Sequence, residues 1–160
     1  MPVDAQTFRH ALGHFASSVT VVTLADEGRK TGLTVTAFSS LSLNPPYILI
    51  CIDKQTDSLD VLRRSQAFVV NFLAAGQADL SNHFASTHPD KFSGIDHHMG
   101  MLNIPILKDT VGWLECRLVQ EVDGGDHIIC IGLVEHASID DQAEPLLYYT
   151  GKYRELKNMQ

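Results

Sequence analysis

Two long segments of alternating side chains in the C-terminal half of the sequence limit the possible folds more than any other pattern. Residues 111–122 and 127–139 alternate apolar and polar side chains, and Asp123-Gly124-Gly125-Asp126 separates them. A period of two is typical of half-buried β-strands, and a short connection rich in Gly and Asp is typical of a hairpin turn. The pattern therefore predicts two long antiparallel strands.

Four further segments have the composition of strands. They are rich in Val, Ile, Thr and Phe, and they cover residues 18–24, 30–43, 47–52 and 68–73. Asp26-Glu27-Gly28 predicts a turn between the first two, and Asn44-Pro45-Pro46 ends the second, because proline cannot donate to a strand ladder. Six strands predict a closed or nearly closed antiparallel barrel, which leaves few exposed sheet edges.

Three segments have the spacing of short helices. Phe8, Ala11, Leu12 and Phe15 are spaced i, i+3, i+4 and i+7 after Asp4, a suitable N-cap, so we expect a helix over 7–15 whose apolar face lies on the core. Residues 57–64 and 77–84 predict two more helices. Residues 86–108 show few periodic signals and are expected to form a loop, and a loop of this length is more often functional than idle.

Composition favours one acidic domain. No repeat, low-complexity tract or linker divides residues 1–160, and 44% of them are hydrophobic, which suffices for one core. The formal charge of -7 argues against a general binder of nucleic acids or anionic membranes, because such a surface must be cationic.

Cysteine usage and the N-terminus indicate where the protein works. Cys51, Cys116 and Cys130 are odd in number, far apart and each in an apolar stretch, which predicts buried free thiols in a reducing compartment. The N-terminus resembles no signal peptide, and the longest apolar run, 47–52, is too short to span a bilayer. We therefore expect a soluble, cytoplasmic protein.

Two polar segments are candidates for ligand binding. Residues 34–42 carry many hydroxyls, which can donate to a phosphate or a ribityl chain, although Thr is also common in strands and Ser in bends. Residues 53–58 follow a strand and open a helix, where free amides favour an anion, although an ordinary N-cap at Thr56 or Asp57 explains them equally well. Both interpretations of each segment stay open.

Three other features carry a structural and a functional interpretation. Asn71 interrupts an apolar strand, so its amide must bond either to main-chain groups or to the edge of a ligand. Residues 123–127 form a hairpin turn or part of a binding surface, and 148–153 form a C-terminal strand or part of the same surface. Together the last two segments offer a stacking surface and a polar cover for a planar ring such as nicotinamide.

Metal and nucleophile chemistry are not expected. His83, His88, His97 and His98 surround the long loop, but no HExxH motif accompanies them and the cysteines are remote. No GxSxG motif or activated cysteine marks a nucleophile, and no GxGxxG or P-loop pattern follows a strand. We expect neither a metal site nor a covalent catalytic residue.

Several motifs, in order along nearly the whole chain, resemble the flavin reductase-like family. They are Phe8-Arg9-x-Ala11-Leu12-Gly13-x-Phe15-Ala16, Ser18-Val19-Thr20-Val21-Val22-Thr23, Gly32-Leu33-Thr34-x-x-Ala37-Phe38-x-Ser40-Leu41-Ser42-Leu43-x-Pro45-Pro46, Phe68-x-Val70-Asn71-x-Leu73, Gly125-Asp126-His127 before Ile131-Gly132, Pro145-Leu146-Leu147-Tyr148-Tyr149, and Gly151-Lys152-Tyr153. The similarity is greatest to the small reductase components of two-component flavin-dependent monooxygenases that act on phenols and related aromatics.

The resemblance implies a mainly β fold, the six-stranded antiparallel FMN-binding split barrel with peripheral helices. It also implies a homodimer that carries FAD or FMN, receives hydride from NADH or NADPH, and passes reduced flavin to a separate oxygenase. Because no basic discriminator for a 2′-phosphate is evident, NADH is favoured.

The resemblance also implies roles for individual residues. Thr36, Ala37, Phe38 and Ser39 would contact the flavin through main chain and hydroxyls, with Thr36 the less secure because relatives vary there. The remaining implied contacts are Asp53, Lys54 and Ser58 around the phosphate and ribityl chain, Asn71 near the isoalloxazine, Phe84 with 89–92, including Lys91, over the nucleotide, and His127, Tyr149, Gly151 and Lys152 at the nicotinamide cofactor.

The implied chemistry needs positioning more than acid–base catalysis. Because the two cofactors carry out hydride transfer, we expect no catalytic side chain, with His127 orienting the dinucleotide. Two alternatives stay open. One is another split-barrel flavoenzyme, such as a vitamin-phosphate oxidase or a corrinoid reductase, and the other is a flavin-binding module without turnover.

Overall fold

The computed structural model describes residues 1–157, which form three helices and twelve strands. In order they are α1 (Ala5–Gly13), β1 (Ser17–Ser18), β2 (Thr20–Ala25), β3 (Lys30–Val35), β4 (Phe38–Leu43), β5 (Pro46–Asp53), α2 (Ser58–Ser65), β6 (Ala67–Phe72), α3 (Ala78–Ala85), β7 (His97–Met99), β8 (Pro105–Leu107), β9 (Gly112–Gly124), β10 (His127–Ile139), β11 (Leu147–Tyr149) and β12 (Lys152–Arg154).

The largest sheet has the strand order β3-β2-β6-β9-β10-β5-β4, and every neighbouring pair is antiparallel. The predicted long hairpin is confirmed as β9 and β10, with Gly124 opposite His127. The predicted strand 30–43 is divided at Thr36 and Ala37, so that β3 lies at one edge of the sheet and β4 at the other. These two residues carry the chain between the edges and close the barrel, so the six predicted strands become seven.

The barrel interior is filled by one face of each strand and by helix α2. In β5 the alternate residues Ile48, Ile50 and Ile52 are buried, as a period of two requires. Helix α2 adds Leu59 and Leu62 to the same apolar cluster. Each buried side chain of this size contributes roughly 1.5–3 kcal/mol of transfer free energy.

The segment expected to be a loop contains a small hairpin, formed by β7 and β8. The buried Glu115 carboxylate holds its turn, accepting hydrogen bonds from the main-chain N–H groups of Met101 at 3.1 Å and Leu102 at 3.0 Å. The Thr23 hydroxyl donates to the carbonyl of Pro105. Strands of three residues are too short to show a period, so the sequence analysis missed them.

Helix α1 has the predicted N-cap, but it covers Ala5–Gly13 rather than 7–15 and does not pack as predicted. The Asp4 carboxylate accepts a hydrogen bond from the Thr7 N–H at 2.8 Å, which confirms the N-cap. No residue of the helix is buried, and Phe8 and Leu12 are 54% and 56% exposed. The expectation that this face lies on the core is therefore wrong, because other elements fill the core.

The C-terminal segment forms two strands rather than one. Strands β11 and β12 pair across a turn at Thr150 and Gly151, whose φ angles are 50° and 74°, and β11 also pairs with β1. The Thr150 N–H donates to the carbonyl of Gly13 at 2.8 Å, which joins this hairpin to the end of α1. Within residues 1–157, no helix combines the length and the hydrophobicity that crossing a bilayer requires.

Candidate functional site: a cleft and an adjoining pocket

An apolar cleft of about 700 Å³ lies between helix α1 and the barrel wall. One wall consists of Phe8, Leu12 and Phe15, the predicted apolar face of α1. The other wall includes residues 36–39 and Cys51. The period of α1 was visible in the sequence, but only the fold shows that its apolar face borders a cavity.

The residues of the barrel closure, Thr36 and Ala37, belong to the lining of this cleft. The carbonyl of Ala37 accepts from the Cys51 N–H at 3.1 Å, and that of Thr36 accepts from the Phe38 N–H at 2.9 Å. Within the described part of the chain, the N–H groups of Thr36 and Ala37 donate to no main-chain carbonyl. They are therefore available to the acceptor atoms of a ligand, since main-chain donors must otherwise be satisfied by water.

A polar pocket, also of about 700 Å³, lies between β3, the start of α2 and the segment after α3. Its lining includes Thr34, Gln55, Ser58, Phe84 and Lys91. A Cβ atom at Gly32 would lie 2.8 Å from the Phe84 ring, so only glycine lets this ring pack against β3.

The cleft and the pocket follow one another along two strands. Thr34 in β3 lines the pocket, and Thr36, just after β3, lines the cleft. Likewise Cys51 in β5 lines the cleft, and Gln55, just after β5, lines the pocket. Asp53 lies between the last two, and its carboxylate accepts from the Gln55 N–H at 2.8 Å. The arrangement suits an elongated ligand with a flat apolar end and a polar tail.

Lys91 is part of the pocket wall. Its ammonium group donates to the carbonyls of Phe84, at 3.0 Å, and of His83 and Ser86, the last residues of α3 and its C-cap. Burial lowers the pKa of Lys91. The ammonium group of Lys91 thus bonds to carbonyls of the pocket wall. Its expected contact with a nucleotide stays a prediction.

Asp53, Lys54 and His127 lie together where β5 meets β10. Asp53 is opposite His127 in the ladder, and the Lys54 ammonium lies 2.6 Å from the Asp123 carboxylate. The His127 Nδ1 atom lies 2.7 Å from the Asp126 carboxylate. These contacts hold the pKa values of Asp123 and Asp126 below the usual range. Lys54 is thus paired with Asp123, and its contact with the phosphate and ribityl chain stays a prediction.

The structure corrects the expected contact of Asn71 with the isoalloxazine. Its side chain is fully buried; its amide nitrogen donates to the Val21 carbonyl and the Thr23 hydroxyl, both at 3.0 Å, and its oxygen accepts from the Leu107 N–H at 2.9 Å. These partners leave no accessible atom for an isoalloxazine ring. Asn71 therefore anchors strand β8, and the first of its two sequence interpretations, main-chain partners, is the observed one.

Of the residues expected at the nicotinamide cofactor, only Gly151 lines one of the two cavities in the described part of the chain. Gly151 lines the apolar cleft together with Tyr148. The sequence analysis had not named Tyr148 as a binding residue. The ring of Tyr149 stands edge-on to that of His14, with 6.0 Å between centroids. In the described residues neither cavity is lined by Tyr149, Lys152 or His127, so their contacts with a nicotinamide cofactor stay predictions.

The three cysteines are free, as predicted, but only two are buried. Burial raises the pKa values of Cys116 and Cys130 to about 12. Cys51 is half-buried and lines the cleft, and burial raises its pKa as well. Its thiol is therefore neutral and adds to the apolar character of the cleft.

Comparison with known proteins identifies the family. The sequence profile of the flavin reductase like domain matches residues 12–157. The chain belongs to the flavin reductase-like family.

Relatives and solved structures agree with this assignment. The chain is 39% identical over 151 residues to the reductase subunit HsaB of a flavin-dependent monooxygenase from Rhodococcus jostii, covering 94% of this chain and 77% of that one. It is 38% identical, over 94% and 96% of the two chains, to the reductase component of 4-hydroxyphenylacetate 3-monooxygenase from Thermus thermophilus.

The structure of the NADH:FAD oxidoreductase SgcE6 from Streptomyces globisporus, in complex with NAD and FAD fragments, superposes with a TM-score of 0.92. Identity is 33%, and the match covers 98% of this chain and 97% of that one. The predicted family, the mainly β split-barrel fold and the activity class of a flavin reductase are thereby confirmed.

Proposed function

We propose that this flavin reductase transfers hydride from NADH to a flavin held across the apolar cleft and the polar pocket, and that the reduced flavin serves a separate oxygenase. The observation that carries the proposal is the pair of free main-chain N–H groups at Thr36 and Ala37, two residues of the cleft lining that follow Thr34 of the hydroxyl-rich pocket along the chain. Relatives that are named as monooxygenase reductase components support the role of the product.

The donor set fits a flavin. The carbonyl oxygens and ring nitrogens of an isoalloxazine accept hydrogen bonds, and Thr36 and Ala37 supply donors of the required kind without a charge. Phe38 and Leu12 provide apolar surface for the two faces of a flat ring. Ser39 and Cys51 complete this part of the cleft.

The pocket fits the ribityl and phosphate tail. Ser58 is only 5% exposed yet borders the pocket, and it begins helix α2, whose dipole favours an anion at this end. The N–H groups of Ser58 and Leu59 donate to Thr56, so the Ser58 hydroxyl is the donor that we assign to the phosphate. Gln55 also lines the pocket, and its main-chain N–H is held by the Asp53 carboxylate at 2.8 Å. A phosphate seated there would place the ring in the adjoining cleft.

The protein's contribution to the reaction is positioning. A bound flavin and a reduced nicotinamide carry out the hydride transfer themselves once their rings are stacked. Helix α1 excludes water from one side of the cleft, and residues 36–39 fix the orientation of the ring. We assign His127, held by Asp126, to the orientation of the dinucleotide.

A homodimer is part of the proposal. Phe15 and Leu43 are 78% and 96% exposed, and such large apolar side chains in contact with water favour association. We expect light scattering to give the mass of two chains, and Leu43→Asp to shift the protein toward one chain. A wild-type mass of one chain at micromolar concentration would remove the dimer from the proposal.

Steady-state oxidation of NADH with added flavin tests the function. We expect turnover with free flavin as acceptor, and His127→Ala to raise the KM for NADH several-fold while the flavin Kd stays constant. His136→Ala, on the same strand but outside both cavities, is the control. A yellow protein that NADH does not bleach would indicate the flavin-binding module, and absence of NADH oxidation at any flavin concentration would overturn the assignment.

A further inference from the structure

We propose that Arg29 makes the polar pocket selective for FAD over FMN, by binding the phosphate on the adenosine side of the dinucleotide. The proposal rests on the proposed function, because it assumes that the isoalloxazine occupies the apolar cleft. Arg29 lines the pocket at the turn between β2 and β3.

Arg29 lies far from Thr36, which lines the proposed site of the isoalloxazine ring. Seven residues lead from Arg29 through β3 to Thr36, and a strand rises about 3.3 Å per residue, so their Cα atoms are roughly 20 Å apart. A ribityl chain with a single phosphate covers only part of this distance. A pyrophosphate and an adenosine extend the ligand toward the far end of the pocket.

The turn that carries Arg29 is fixed from two sides. The Asp26 carboxylate accepts from the Arg29 N–H at 3.1 Å and from the Arg64 side chain at 2.8 Å. The Asp26 N–H also donates to the Arg29 carbonyl at 3.0 Å. The main chain of Arg29 is therefore held before any ligand binds, which lowers the entropic cost of using its side chain.

The guanidinium group of Arg29 is available. Its one ionic contact is Asp57 at 3.9 Å, and within the described residues its side chain makes no hydrogen bond. By contrast, Arg63 and Arg64 on α2 each form hydrogen bonds to a carboxylate, with Glu121 and Asp26 respectively. A half-exposed guanidinium with free donors in a pocket suits bidentate binding of a phosphate.

His88 supplies a second donor on the other side of the pocket. Its Nδ1 atom accepts from the Asp90 N–H at 3.1 Å, which places the ring hydrogen on Nε2 in the neutral tautomer. His88 lines the pocket together with Arg29. The two residues offer donors to a pyrophosphate without a Gly-rich loop.

Binding of FAD and FMN to Arg29→Gln tests the inference, with flavin fluorescence quenching as the readout. We expect the Kd for FAD to rise about tenfold, the loss of one charge-assisted hydrogen bond, while the Kd for FMN changes less than twofold. Arg63→Gln is the matched control, because Arg63 faces Glu121 outside the pocket, and it should change neither Kd. Thermal melts establish that both variants are folded.

Three results would overturn the inference. They are an equal weakening of FAD and FMN, an unchanged Kd for FAD, and a rise only in the KM for NADH, whose own pyrophosphate has the same chemistry. If the wild-type protein binds neither flavin, the proposed function itself fails, which the FMN measurement distinguishes from a failure at Arg29.

Discussion

Helices α1 and α2 have similar lengths and one apolar face each, but they use that face differently. In α2 the residues Leu59, Val61 and Leu62 are buried in the barrel, whereas no residue of α1 is buried. Helix α1 has a side-chain N-cap at Asp4, while Asp57 makes no such hydrogen bond at the start of α2. Packing stabilises one helix and capping the other, so an apolar period predicts a face but not what covers it.

The largest expected effect is at the packed helix. Leu62→Ala should lower the free energy of unfolding by about 3 kcal/mol, because it removes buried methyl groups and leaves a cavity in the barrel. Urea denaturation followed by circular dichroism measures this. A loss below about 1 kcal/mol would mean that α2 contributes little to the core and would erase the contrast with α1.

The equivalent substitution on α1 should affect binding instead. Leu12→Ala should change the free energy of unfolding by less than about 1 kcal/mol, as exposed sites do, but should weaken flavin binding about fivefold through lost apolar contact. Leu156→Ala is the control, because Leu156 is also 56% exposed and lies outside both cavities. Equal behaviour of the two variants would show that α1 is not a wall of the binding site.

Removal of the cap should loosen α1 alone. Asp4→Ala eliminates the hydrogen bond to the Thr7 N–H, so amide hydrogens of residues 8–12 should exchange several-fold faster while the unfolding midpoint stays constant. Exchange measured by mass spectrometry on the N-terminal peptide checks this. Faster exchange throughout the barrel would instead couple α1 to the core.

The smallest effect is the pH dependence of the same cap. The Thr7 N–H lowers the pKa of Asp4 below its ordinary 3.8, so the stabilisation is complete above that pH and is lost as the pH falls through the lower value of the folded state. The protection of α1 amides, corrected for the intrinsic exchange rate at each pH, should therefore fall on acidification below pH 4 in the wild type, more than in Asp4→Ala. The same slope in both proteins would assign the acid response to other groups.

Local patterns predicted most of the fold, and long-range pairing explains what they missed. Alternation predicted β9 and β10, composition predicted the other barrel strands such as β5, and Asp4 was visible as a cap. The division of the strand 30–43 was not visible in the sequence, because Thr36 and Ala37 have ordinary strand composition. The move of the chain from one sheet edge to the other depends on the pairing of β4 with β5. Partners distant in sequence, such as Leu107 for Asn71, cannot be read from local spacing.

The candidate site was partly predictable for the same reason. Residues 36–39 and Ser58, which the family resemblance named, line one cavity or the other, and their contacts with a flavin stay predictions. The α1 wall and Arg29 were missed, since both owe their positions to tertiary contacts. The pairing of Lys54 with Asp123 was also invisible, because the two residues are far apart in the chain.

The change of sheet edge at Thr36 and Ala37 has a consequence for sequence drift. In the proposed function, recognition of the flavin there depends on peptide N–H groups, which every residue except proline supplies. We expect a saturation library at Thr36 to retain flavin binding with most side chains and to lose it with proline. Substitutions of the Thr36 side chain would then change the surface of the cleft while the main-chain hydrogen bonds to the flavin ring are kept.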